Sequence, residues 1–369
     1  MRVRTLALED FRGHAVVQLP LGSGVTAFMG PNGVGKTNLL EAIHLAARGD
    51  SPRAHDDGEI VRWGAPLSRV TVSVERAEDE RRVELILFGS TDGRRRPRRY
   101  LLDGAGKRAD DVLGEIAVVA FFPEDVELLT EAPGARRRYL DAMLGQLLRR
   151  HRVAAREYAR VIEQRNALLR ALRDGESTEG ELVFWDGELC RLAALISSER
   201  LRAVNQLVAP FREAATRFAG TDEVELAYAG QVEGTEPAER EAAYRALLAE
   251  KREKEMWQAT TLVGPHREDI AVTARGRALS TFASRGEQRS TVLALKIAEA
   301  SWLRDQRGEE PIFLLDDVLS ELDPRRREAL IEALPSGAQV LLTAALPAGL
   351  PRTLGERATI VRVPEDLRP

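Results

Sequence analysis

The run Gly30-Pro31-Asn32-Gly33-Val34-Gly35-Lys36-Thr37 constrains this chain more than any other. It has the spacing G-x-x-x-x-G-K-T. The apolar run Val25 to Met29 precedes it, and the helical pattern Asn38, Leu39, Leu40, Glu41, Ala42, Ile43, Leu45 follows. Strand, glycine-rich loop and helix in that order make a phosphate cradle, the P-loop. The glycines let successive backbone N–H groups turn inward onto anionic oxygens. The helix after the loop points its positive end at the same anion. Lys36 is placed to reach the β- and γ-phosphates, and Thr37 offers a hydroxyl to Mg2+. The residues expected to contact ATP are therefore Gly30, Pro31, Asn32, Gly33, Val34, Gly35, Lys36, Thr37 and Asn38.

A chain of 369 residues has room for two or three domains, and 44% hydrophobic with 30% charged residues fits a soluble globular protein. No apolar run approaches the ~20 residues that span a bilayer. The start, Met1-Arg2-Val3-Arg4-Thr5, reads as a strand and not as a signal peptide. The lone Cys190 excludes an internal disulfide and a cysteine zinc site. A cytoplasmic location with no membrane partner is the expectation. The net charge of −4 carries no global nucleic-acid signal.

The first third reads as strands. Val3 to Leu8 and Val16 to Leu19 can pair across the Phe11-Arg12-Gly13 bend, and Val70 to Val74 with Val83 to Leu87 forms a hairpin pattern. Ile116 to Phe122 is a continuous apolar run, the pattern of a strand buried on both faces. From about Gly134 the period becomes helical, with Leu140, Met143, Leu144, Leu147 and Leu148, and it continues to Arg173. The turn cluster Asp174 to Gly180 leads to a second long pattern through Trp185, Leu189, Leu192, Ile196, Leu207 and Phe211. Two such patterns imply either a short antiparallel arm or several helices in a bundle. Strand character returns near Thr260, and Ile312 to Leu315 and Val340 to Thr343 are fully apolar. The expected architecture is α/β: a P-loop head built from residues 1–123 and 258–369, with a mainly helical lobe inserted at 124–257.

The apolar run Ile312-Phe313-Leu314-Leu315 ends in Asp316-Asp317. P-loop enzymes hold Mg2+ with an acid at such a strand end, so Asp316 is the metal-side carboxylate. Asp317 is placed to orient or deprotonate a water. Ser284 and Glu287 have capping-box spacing and set a helix start, a second anion-binding helix end.

These pieces bring the chain to a resemblance. Ser284 to Ser290 followed by a strand ending in Asp316-Asp317 and then Ser320-Glu321-Leu322-Asp323 resembles the ABC-type ATPases. The long helical stretch between the two nucleotide motifs resembles their SMC-like branch. Several blocks are similar to the RecF family of recombination mediators: Asp10-Phe11-Arg12, Gly30 to Glu41, Phe122-Pro123-Glu124-Asp125, Arg137 to Asp141, Gly264-Pro265-His266-Arg267 and Leu315 to Asp323. The resemblance implies that two copies sandwich ATP, with Ser284, Gly286 and Gln288 of one copy closing on the γ-phosphate held by the other. It implies a weak DNA-dependent ATPase in which Lys36, Asp317 and Ser284 serve the reaction. It also implies binding to double-stranded or gapped DNA without sequence preference, and work with RecO and RecR in loading recombinase. Three departures stand out. Asp317 replaces the glutamate common in ABC ATPases, so slow turnover is expected. Thr343 stands where many relatives carry a histidine. The Q-loop glutamine has only Gln146 and Gln164 as candidates. A structural SMC-like or nuclease-subunit ATPase, and a transport ATPase subunit, are the competing readings.

Contact with DNA needs arginines and lysines facing phosphates. Between Arg81 and Arg108 nine basic residues stand against Glu84, Asp92 and Asp103, a balance of +6. Arg94, Arg95, Arg96, Arg98 and Arg99 are the expected DNA contacts there. Arg136 to Arg138, and Arg149, Arg150 and Arg152, form further clusters. His266 reads as a nucleotide or DNA contact or as part of a structural loop. Trp185, Trp257, Trp302 and Cys190 read as core.

Overall fold

Valines and leucines two apart build the first sheet. In chain order the elements are β1 (Arg2–Phe11), β2 (His14–Pro20), β3 (Val25–Met29), α1 (Lys36–Arg48), β4 (Leu67–Glu75), β5 (Glu80–Phe88), β6 (Arg99–Leu102), β7 (Ala105–Lys107) and β8 (Val118–Phe121). Next come α2 (Pro133–Gly145), α3 (Arg149–Arg173), α4 (Leu182–Ala219), β9 (Val224–Ala229), α5 (Pro237–Gln258), β10 (Asp269–Ala274) and β11 (Arg277–Ala278). The chain closes with α6 (Arg285–Arg307), β12 (Ile312–Leu315), β13 (Val340–Ala344) and β14 (Ala358–Arg362). The computed structural model describes residues 1–54, 56–89, 97–219, 223–345, 352–355 and 357–367.

One unit holds Met1–Val126, Glu213–Asp222 and Arg285–Pro369. It contains two sheets. The antiparallel one runs β2-β1-β4-β5-β6-β7. Its register pairs Phe11 with His14 across the expected bend, and Val72 with Val83 across the expected hairpin. Val70, Val72, Val74, Val83, Leu85 and Leu87 are fully buried, which is what a period of two on one packed face produces. The parallel sheet runs β14-β3-β13-β12-β8. β3, β8, β12 and β13 are buried runs because both faces are covered, whereas the edge strand β14 is mostly exposed. Leu39, Leu40, Ala42, Ile43 and Leu45 of α1 share one core with residues of both sheets. Helix α1 is accordingly buried without interruption from Leu39 to Ala47, its polar Glu41 and His44 included.

Both ends of the chain meet in this unit, as the split motifs predict. Gln339 closes the join. Its side chain accepts a bond from Val3 N at 2.7 Å and donates to Val3 O at 2.8 Å and Gly22 O at 2.6 Å. The amide supplies a strand-like bonding pattern from a side chain, and it leaves no buried backbone group of Val3 unpaired.

The other unit holds Glu127–Arg212 and Glu223–Ser284. The sequence partition placed residues 258–369 in the head, but the lobe extends to Ser284. The reason is sheet pairing: β10 bonds to β9, so the stretch after Thr260 completes a three-stranded sheet β11-β10-β9 inside the lobe. Helices α3 and α4 run antiparallel, with His151 bonded to Glu199 and Arg165 to Asp186. Helix α5 joins them through Tyr244 and Leu248, so the arm is also part of a bundle. Cys190 and Trp302 are buried as expected. Trp257 is 78% exposed and is not core, because it lies on the outer side of α5. Trp185 is half-buried and packs edge-on against Phe184.

Candidate nucleotide site

The loop between β3 and α1 is held in a shape that only glycine permits. A Cβ on Gly30 would lie 2.2 Å from the carbonyl oxygen of Val363, just beyond β14. Gly35 has φ +104°, and a Cβ there would lie 2.6 Å from Nε2 of His14. His14 donates from that nitrogen to the Gly35 carbonyl at 3.1 Å, fixing the last turn of the loop. Helix α1 then begins with no side-chain cap and no acid in its first turn. Its first N–H groups and its positive end are left for a ligand.

Lys36 folds back over the loop and donates to the carbonyls of Gly30 at 2.7 Å and Pro31 at 2.9 Å. Burial lowers its pKa, while Asp317 and Asp316 pull in the opposite direction. The cation therefore rests at the mouth of the cradle, over the carbonyls that a triphosphate would approach. The surrounding cavity is about 780 Å3 and includes Asn32, Gly33, Gly35, Lys36, Thr37 and Asn38 in its wall. That volume is in the range of small-molecule sites, about 300–1,000 Å3.

Parallel pairing delivers the acids to the same place. β12 lies between β13 and β8, and its carboxyl end opens beside the P-loop. Thr37 donates its hydroxyl to Asp316 Oδ1 at 2.9 Å. Thr343, from the end of β13, donates to the same oxygen at 2.8 Å and accepts a bond from Asp317 N at 2.9 Å. Burial raises the Asp316 pKa, and the two hydroxyls act against it. Asp317 sits at φ 51°, a left-handed conformation rare for a residue with a side chain. The Thr343 hydroxyl helps to hold it there. Thr343, without a clear role in the sequence, is thus a positioning residue for both acids. A hydroxyl and a carboxylate side by side are the donor set a hard divalent cation takes.

Sequence reasoning missed two further groups. Glu41 is fully buried in α1 and receives the Arg12 guanidinium at 2.5 and 3.0 Å and the Ser51 hydroxyl at 2.6 Å. Helical periodicity marks Glu41 as a polar position in an apolar helix, and nothing in the local pattern names its partners. Glu124 is the other. It follows β8, the strand beside β12, where Asp125 locks the turn by accepting from Phe122 N at 2.7 Å and pairing with Lys296 at 2.8 Å. Glu124 Oε2 is buried without a hydrogen-bond partner among the described residues, and burial raises the carboxyl's pKa. Neither Q-loop candidate lines the cavity. Gln146 instead caps α2, and Gln164 is exposed on α3.

The remaining expected residues divide. Ser284 is exposed, and α6 begins directly after it, as the capping spacing predicts. Neither Gly286 nor Gln288 of α6 lines the cavity. Arg98 is withdrawn from the expected DNA contacts, because it grips Asp57 at 2.6 Å and also bonds the Gly49 carbonyl. Arg99 is exposed and lies over the Phe88 ring. Arg94, Arg95 and Arg96 lie outside the described residues. Arg136 is bound bidentately to Asp269 at 2.8 Å, and Arg137 donates to Glu268 O at 2.7 Å. Arg150 is paired with Glu199, and Arg152 bonds the Gly145 carbonyl. His266 is structural: it shares a hydrogen with the Tyr158 hydroxyl at 2.7 Å and donates to the Thr261 carbonyl at 3.2 Å.

The RecF/RecN/SMC N-terminal domain family matches residues 2–350. The DNA replication and repair protein RecF of Roseiflexus castenholzii is 39% identical over 359 residues, covering 90% of each chain. A solved structure of the recombination mediator protein RecF-ATPrS in the RecFOR pathway superposes with a TM-score of 0.86 at 27% identity, over 95% of this chain and 94% of that one. An Smc head bound to the C-terminal winged-helix domain of ScpA shares the fold, with a TM-score of 0.52 at 16% identity over 98% and 94% of the two chains. The architecture is therefore that of an ABC-type ATPase head carrying an inserted helical lobe. With 93% of a second such relative, from Chloroflexus aurantiacus, matched at 39% identity, the chain belongs to the RecF family of DNA replication and repair proteins.

Proposed function

We propose that this protein is an ATP-gated DNA-binding switch of recombinational repair. ATP brings two copies together head to head on single/double-strand junctions or gaps, and slow hydrolysis releases them. The observation that supports this best is the 2.9 Å bond between Thr37 and Asp316, which joins two motifs 279 residues apart into one phosphate-and-metal site. In this reading Gly30 to Asn38 hold the triphosphate and Lys36 leaves its two carbonyls for the β- and γ-oxygens. Thr37 and Asp316 would hold Mg2+, which when bound draws negative charge from the phosphates. Asp317, fixed through its N–H by Thr343, orients the attacking water. Asp317 carries a short side chain, which fits a switch with weak DNA-dependent ATPase activity better than a fast hydrolase.

Gly286 and Gln288 lie outside the wall of the cavity. Together with Ser284 they would serve the cradle of a second copy, so the site is complete only in the dimer. Two relatives support the setting: one is named a DNA replication and repair protein, the other a recombination mediator in a RecFOR pathway. Cooperation with RecO and RecR in loading recombinase is proposed on that basis.

Sedimentation velocity with ATP, Mg2+ and gapped DNA tests the reading. Wild type is expected to shift from monomer to dimer on adding ATP. Ser284→Arg is expected to bind ATP as before and to stay monomeric. A Ser284→Arg protein that dimerises with ATP excludes the action in trans.

A further inference from the structure

The P-loop, the acids and Thr343 account for the phosphate end of the cavity, and none of them recognises a base. The same cavity has one large aromatic in its wall, Trp63. Trp63 is 100% exposed, while Val16 and Ile360, the other exposed large hydrophobics of this unit among the described residues, are 44% and 45% exposed. A whole indole left in water beside a ligand cavity is an unfavourable arrangement until something covers it.

The ring is presented by a pinned turn. Ala65 N donates to Arg62 O at 2.9 Å, and Gly64 supplies φ +84° at the third position of that turn. The turn is tied to the end of β1 by Arg12 N to Ile60 O at 2.7 Å and Arg62 N to Asp10 O at 2.8 Å. The Arg62 side chain pairs with Asp10 at 3.4 Å. A backbone held at this many points loses little further freedom on binding, and a tryptophan has only two side-chain torsions to fix. Between this turn and the cradle stands Arg12, whose charge is already met by Glu41. The wall thus carries an anion-binding end at Lys36 and a neutral aromatic end at Trp63, which is the polarity of a nucleotide.

We propose that Trp63 is the base-binding face of this site and stacks on the heteroaromatic base of the bound nucleoside triphosphate. The inference rests on the nucleotide reading given above. Stacking has no edge-reading hydrogen bonds, so it favours purines over pyrimidines by contact area and separates ATP from GTP only weakly.

The experiment measures binding of ATP, CTP and inorganic tripolyphosphate by titration calorimetry and by competition, to wild type, Trp63→Ala, Trp63→Phe and Lys36→Met. Trp63 is a surface residue, so its variants fold. Trp63→Ala is expected to bind ATP about tenfold more weakly, to lose most of the preference for ATP over CTP, and to bind tripolyphosphate as wild type does. Trp63→Phe is expected to recover most of the ATP affinity. ATP should quench wild-type tryptophan emission where tripolyphosphate does not, and Trp63→Phe should lose that difference. Unchanged ATP affinity in Trp63→Ala, or equal losses for ATP and tripolyphosphate, overturns the stacking role. Undiminished binding of all three ligands by Lys36→Met overturns the nucleotide site itself, a separate failure.

Discussion

The nucleotide cradle and the helical lobe are both rich in buried charge, and they use it in opposite ways. In the lobe the buried cations Arg165 and Arg200 are met by protein carboxylates. Arg165, fully buried, binds Asp186 at 2.8 Å, Glu255 at 2.6 Å and Thr261 at 2.9 Å. Arg200 binds Asp141 at 2.7 and 2.8 Å and the Pro265 carbonyl at 2.7 Å. Burial alone would raise the Asp141 pKa, but Arg200 and His151 outweigh it and hold it at about 2. In the cradle the polar groups are incompletely met. Lys36 rests on two carbonyls, and α1 starts uncapped. Charge satisfied from within is architecture, and charge left facing a cavity is a binding site.

The largest effect expected from this contrast is in the lobe. Arg165→Met leaves the buried Glu255 carboxylate without its cation, while Asp186 keeps Arg252, and should cost about 3–5 kcal/mol of stability, read as a fall in urea midpoint, with part recovered by adding Glu255→Leu. A midpoint like that of wild type breaks the contrast. The same type of change in the cradle should spare the fold. Lys36→Met should weaken ATP binding roughly a hundredfold or more with little change in the urea midpoint, because its present partners are carbonyls and not a carboxylate. A large loss of stability would make Lys36 a structural residue.

Protonation sharpens the comparison further. Burial pushes His266 down to about 4. Its unfolded value is near 6.5. Below about 6.5 the unfolded chain takes up a proton that the folded loop refuses, so stability is present above that pH and falls as pH drops toward 4. The full loss is roughly 3 kcal/mol, and His266→Asn should abolish it. His151 opposes this trend. Burial would lower its pKa, but Asp141 and Glu199 raise it, so its contribution is present at low pH and lost as pH rises through the raised value. Parallel stability curves for wild type and His266→Asn between pH 6.5 and pH 4 would remove His266 as the source. The smallest effect is Thr343→Val. It leaves Asp317 N–H unbonded and one Asp316 bond missing, at a cost of about 1–3 kcal/mol, and should slow ATP turnover more than it weakens ATP binding.

Local patterns carried much of this in advance. The P-loop was legible because its function needs glycines and a lysine at fixed spacing, and β12 because a strand buried on both faces must be apolar until its acids emerge. Partners far apart in the chain were not legible. Nothing in the pattern around Thr343, Glu41 or Glu124 says which strand end or guanidinium will stand opposite. Arginine clusters show the same limit: sequence counts charge, and it does not show that Arg98, Arg136 and Arg137 bond Asp57, Asp269 and a carbonyl. The lobe boundary moved because strand pairing between β9 and β10 is non-local.

The join made by Gln339 has a consequence for how the protein comes into being. Val3 and Gln339 are 336 residues apart, and so the head cannot be finished while its last third is still being made. At about 5–20 residues per second, the P-loop leaves the ribosome on the order of tens of seconds before Asp316 exists to meet Thr37. The lobe lies between them and has its complete sheet and helices first. Translation therefore assembles the inserted part ahead of the part that frames it. A message cut short between Ser284 and β12 carries the whole lobe but leaves the cradle unclosed, because Asp316 is never made to meet Thr37.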